Sequence, residues 1–87
     1  MTTLDPESTR RALSRFIREE LLQRPDFPLK PDSHLITGGY LDSFSLARLG
    51  VFIEEAFGVF IPDSELTVDR MDTLDQMLDQ IARWKRP

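Results

Sequence analysis

Apolar positions recur at helical spacing in three stretches of the chain, and between them the pattern breaks. Leu13, Phe16, Ile17 and Leu21, interleaved with polar residues such as Glu20, form the first stripe. It follows Asp5-Pro6-Glu7, a helix start in which Asp5 caps, Pro6 takes the first helical position and Glu7 faces the positive end of the dipole. From Gln23 to Leu41 the periodicity fails. Pro25, Pro28 and Pro31 remove backbone donors there, and Gly38-Gly39 invites turns. Nineteen residues without a regular element is long for a compact domain. Either Phe27, Leu29, Leu35, Ile36 and Tyr40 pin this loop to the core, or the loop serves a function.

The second stretch starts at Asp42, whose carboxylate can accept a first-turn amide, with Leu41 and Leu46 at the positions of a hydrophobic staple. It ends near Phe57, where Gly58 supplies the stop. A short helical turn is expected after Ile61-Pro62-Asp63. The last helix opens at Thr73, with Gln76 completing a capping box and Leu74, Met77, Leu78, Ile81 and Trp84 on its inner face. The pattern predicts one all-α domain over residues 1–87, a four-helix bundle of three main helices and one short one, with a long first loop.

Placed at 100° steps, Leu46, Leu49, Gly50, Phe52, Ile53, Ala56 and Phe57 occupy one broad arc of the second helix, the expected core face. The opposite arc holds Ser43, Phe44, Ala47, Arg48, Val51, Glu54 and Glu55. Phe44, Ala47 and Val51 thus make a second apolar stripe rimmed by charge. Periodicity alone leaves two readings of it: core tucked under the long loop, or a docking face whose apolar centre holds a partner while its charges steer approach.

Composition narrows the function. An 87-residue chain buries a small core, so a pocket with a full catalytic set would consume the residues that hold the domain together. With no cysteine, the chain offers no disulfide, thiolate metal site or thiol nucleophile, which fits a reducing cytoplasm. The start Met1-Thr2-Thr3-Leu4-Asp5-Pro6 lacks a basic stretch followed by an apolar run, and no segment has the length of a membrane span. A soluble, unprocessed protein is expected. The net charge of −4 is unevenly spread. Residues 42–80 hold nine acids against Arg48 and Arg70, a balance of −7, and Arg83, Lys85 and Arg86 follow as a basic tail. Such a surface repels a phosphate backbone and suits basic protein partners, so no nucleic-acid partner is expected.

Ser43 stands in the first turn of the second helix. Serine is common at helix starts, and on the dipeptide Asp42-Ser43 alone that explanation suffices. A helix N-terminus is also where a phosphodiester would be stabilised by free amides and the dipole. The wider wording decides between the two. Gly39-Tyr40-Leu41-Asp42-Ser43-Phe44-Ser45-Leu46 resembles the G-x-x-D-S-L motif of acyl and peptidyl carrier proteins, with Phe44 in place of the commoner leucine. Ile53-Glu54-Glu55-Ala56-Phe57-Gly58-Val59-Phe60-Ile61-Pro62-Asp63 is similar to the same family's connection after its second helix. The element order, long first loop included, matches over nearly the whole chain.

The resemblance implies that a phosphopantetheinyl transferase moves a 4'-phosphopantetheine arm from coenzyme A onto Ser43, with Asp42 in support. The arm's thiol then carries a fatty acyl, polyketide or nonribosomal aminoacyl group as a thioester between loading and transferring enzymes. It further implies a monomer without catalysis of its own, and it favours the docking-face reading of Phe44, Ala47, Arg48, Val51, Glu54 and Glu55. Arg48 stands where many fatty-acid carriers have an acid, and L-D-S-F wording also occurs in carriers for D-alanine, amino acids or unusual extender units. A dedicated pathway is therefore expected. Whether cargo is sequestered in a cleft between helices or left in solvent depends on the packing around Phe27, Ile53, Phe57, Ile61 and Leu78.

Two rival readings use the same residues. A hydrolytic triad of Ser43, Asp42 and His34 lacks a nucleophile elbow and an oxyanion loop, and the single histidine gives no support to a metal site. An unmodified helical protein-interaction adaptor shares every feature except the chemistry of Ser43.

Overall fold

The computed structural model describes residues 5–85; the readings of Met1 to Leu4 and of Arg86 lie outside them. The first helix, α1, spans Pro6–Phe16, with Asp5 Oδ2 accepting the Ser8 amide at 3.0 Å as its cap. It widens into a π-helical turn at Ile17–Leu21, so the Leu22 amide reaches back to the Ile17 carbonyl at 2.8 Å. Gln23, in the left-handed region at φ 56°, ends it where the sequence offers no glycine.

Helix α2 covers Ser43–Phe57, α3 Val68–Met71 and α4 Leu74–Trp84. A 3-10 turn at Asp63–Glu65 follows Ile61-Pro62 as expected, and the four-residue α3 that comes after it completes the expected count of three main helices and one short one. Gly58 terminates α2 at φ 69°, a backbone that a side chain would strain. Thr73 and Gln76 form the reciprocal capping box of α4.

Leu13 and Ile17 of α1, Leu46, Leu49 and Ile53 of α2, and Leu74, Met77 and Ile81 of α4 close around one core, joined by Met71. The connections add to it: Leu35, Leu41, Val59 and Ile61 are all buried. The core face of α2 is narrower than its periodicity implies. Ala56 is exposed, and Gly50, Phe52 and Phe57 are half-buried, because the neighbouring elements cover only the centre of the arc. Trp84 sits at the rim of α4 with its indole N–H donating to Gln80 Oε1 at 2.9 Å.

The long loop is pinned by its apolar residues, with Leu35 in the core and Phe27, Leu29 and Ile36 packed against it, and by hydrogen bonds to the segment that opens α4. The Asp75 amide donates to Pro31 O at 3.1 Å, and the Leu35 amide to Asp72 O at 2.8 Å. Of the aromatic residues, Tyr40 stays half-exposed and packs edge-on against Phe27. Among the described residues no helix is long and apolar enough to cross a membrane, and no group of acids and histidine is placed to hold a metal ion.

Candidate functional site

Ser43 opens α2 and is exposed to solvent. Asp42 before it has extended backbone, and its Oδ1 accepts the Ser45 amide at 2.9 Å while its carbonyl accepts the Leu46 amide at 3.0 Å. The hydrogen bond from the Ser45 amide, seconded by the Ser45 hydroxyl, lowers the Asp42 pKa below the ordinary aspartate value. Leu41 and Leu46, at the two positions of a hydrophobic staple around this cap, are both buried. Asp42 therefore sets where the helix starts and so where the Ser43 hydroxyl emerges. First-turn amides and the positive end of the dipole make that place favourable for a phosphodiester.

The outward stripe is open. Phe44 is 76% exposed and Val51 55%, and Ala47 between them is exposed as well, so the loop does not cover them as core. Beside the stripe, α2 and the segment 60–66 leave a groove of about 420 Å³. Ser43, Ala47, Val51 and Glu54 line it from α2 together with Leu46 and Gly50; Phe60, Ile61, Asp63 and Leu66 line it from the other side. Gly50 permits the close approach of this wall. A Cβ there would stand 3.0 Å from Leu66 Cδ1, nearer than ordinary van der Waals contact.

On the other flank of α2, Arg48, Val51 and Glu55 share a shallower hollow with Phe16 and Phe52, whose rings stack at 4.1 Å. Five of the six residues expected to meet partners thus divide between two depressions, with Val51 lining both, while Phe44 lines neither. Of the five residues whose packing bears on sequestering cargo, Ile61 lines the groove, whereas Ile53 is wholly buried in the core and Phe27 packs on Tyr40.

Phe60, Asp63 and Leu66 were missed. Phe60 is 61% exposed between the buried Val59 and Ile61. That in-out alternation is the period of extended chain, a signal present in the sequence but masked by three consecutive apolar residues. His34 does not approach a triad: its Nδ1 lies 2.9 Å from Asp72 Oδ2.

Asp72 was missed too. Its carboxylate, on a residue 7% exposed, accepts the amides of Ile36 and Thr37 on Oδ1 at 2.8 and 2.9 Å, and the Thr37 hydroxyl on Oδ2 at 2.8 Å. Burial raises its pKa, but the hydrogen bonds from Thr37, His34 and Ile36 outweigh burial and lower it to about 2.

No family model matches the chain. Over 66 residues its sequence is 30% identical to the D-alanyl carrier protein of Bacillus velezensis, an alignment covering 76% of this chain and 85% of that protein.

Proposed function

The chain belongs to the carrier-protein family, and on that premise we propose that it is a non-catalytic carrier bearing a 4'-phosphopantetheine arm on Ser43. The observation that carries the reading is the setting of Ser43: an exposed hydroxyl at the capped start of α2, lining a groove that runs along that helix. The residues present fit the group. Ser43 Oγ is the oxygen that displaces adenosine 3',5'-bisphosphate from coenzyme A on a phosphopantetheinyl transferase, which takes up the hydroxyl proton. Asp42 keeps the serine at the helix start, and the first-turn amides favour the phosphodiester anion. When attached, the arm supplies the thiol that this cysteine-free chain lacks, and an acyl or aminoacyl group is held there as a thioester.

Phe44, Ala47 and Val51 form the apolar centre of the surface that loading and transferring enzymes meet, with Arg48, Glu54 and Glu55 at its rim. The similarity to a D-alanyl carrier protein makes a D-alanyl group the first cargo to test within the class of acyl and aminoacyl groups. Intact-protein mass after incubation with coenzyme A and a broad-specificity phosphopantetheinyl transferase tests the attachment. Wild type gains one phosphopantetheine and Ser43→Ala none; equal masses before and after in both proteins return the chain to the unmodified adaptor.

A further inference from the structure

Among the described residues, the side chain with the most hydrogen-bonding partners is not at the helix that bears Ser43. It is Asp72, immediately before the Thr73 cap of α4. Three donors from Ile36 and Thr37 converge on its two oxygens, and the His34 ring meets Oδ2. A carboxylate has about four lone-pair sites, and here each has a partner. The main chain of the same residue is engaged as well: its carbonyl accepts the Leu35 amide, and its amide donates to Gln76 Oε1 at 2.9 Å.

From there the connection continues toward Ser43. The Leu35 carbonyl accepts the amides of both Tyr40 and Leu41, each at 2.8 Å, and Gly39 closes the same turn by donating to Ile36 O at 3.0 Å. Residues 35–41 are therefore one closed turn, hung at one end on Asp72 and delivering at the other the buried Leu41, then the Asp42 cap, then Ser43. Asp72 itself is too buried for a docking enzyme to touch.

We infer that Asp72 is a positioning residue for the modification site: through the 35–41 turn it fixes the segment that leads into Ser43 in the arrangement a modifying enzyme binds. The inference rests on the reading of Ser43 as the attachment point. Its physical content is a population. Without the carboxylate, the turn samples arrangements in which Tyr40 to Asp42 no longer meet the enzyme together, and apparent affinity falls with the competent fraction. The chemical step, once the complex has formed, is untouched.

Steady-state modification kinetics with coenzyme A and a broad-specificity phosphopantetheinyl transferase, varying the concentration of the chain, read this directly. Asp72→Asn keeps the shape but loses acceptors for the Thr37 hydroxyl and His34, and KM for the chain is expected to rise roughly tenfold with kcat little changed. Thr37→Val, a change at an exposed position that deletes only the hydroxyl donor, is expected to raise KM roughly two- to threefold. Ile81→Val destabilises the core at the other end of α4 and leaves KM at the wild-type value, at a temperature where circular dichroism shows every variant folded. That split separates positioning from stability. KM unchanged in both Asp72→Asn and Thr37→Val, or raised equally by Ile81→Val, overturns the inference while the Ser43 reading stands. A wild type that accepts no phosphopantetheine overturns both.

Discussion

At the scale of single residues, two aspartates with similar neighbours in sequence do different work. Asp42 caps a helix from a solvent-exposed position, and its partner is three residues away. Asp72 is buried, and its partners lie 35 to 38 residues earlier. This difference explains why one was legible and the other was not. A cap is written in adjacent residues, whereas a carboxylate that gathers a distant loop reads in sequence as one more acid in an acidic half. Asp72 also carries a pH dependence. Its folded pKa of about 2 lies below the ordinary value of 3.8, so its contribution is present above that value and is lost as pH falls from about 4 through 2. The shift corresponds to a contribution on the order of 2 kcal/mol. Urea unfolding of wild type and Asp72→Asn between pH 6 and pH 2 is expected to show a wild-type advantage at pH 6 that narrows toward pH 2. A gap that stays constant across this range would contradict the assignment.

At the scale of elements, α2 separates what holds the fold from what faces outward. Leu46, Leu49 and Ile53 are buried, while Phe44, Ala47 and Val51 stand in solvent. The helix boundaries were legible because caps are local: Asp42 and Gly58 delimit α2, and the Thr73-Gln76 box opens α4. The width of the buried face was not. Helical angles give the direction of each side chain but not the reach of the neighbouring elements, and so Ala56 was assigned to the core although it is exposed. The outward stripe yields a prediction at this level. Val51→Glu keeps the melting temperature within a few degrees of wild type, since the side chain is already more than half exposed. The same change places a charge where the two depressions meet, and acyl or aminoacyl transfer by the cognate enzyme is expected to fall about tenfold or more. Undiminished transfer would remove this face from the docking surface.

At the scale of the whole molecule, the fold measures 35 × 27 × 19 Å, and four residues of its core, Leu35, Leu41, Val59 and Ile61, come from connections. The all-α class followed from periodicity, and the long loop from its prolines and glycines. What periodicity could not convey is that the loop and the start of α4 form one hydrogen-bonded unit, or that the segment 60–66 stands off α2 far enough to leave a groove beside Ser43. Both arise from pairings between residues far apart in sequence. The assembled molecule presents one exposed hydroxyl at a capped helix start, an apolar stripe beside it and a buried network behind it, in a chain without a thiol of its own. Those features support the proposed attachment of phosphopantetheine to Ser43. Mass spectrometry of the protein isolated from its own cells, with fragmentation of the peptide that contains Leu41 to Arg48, tests that event most directly. A mass increment of one phosphopantetheine, carried by a fragment that includes Ser43, is expected. A full-length chain at its unmodified mass, or an increment on a fragment without Ser43, would contradict it.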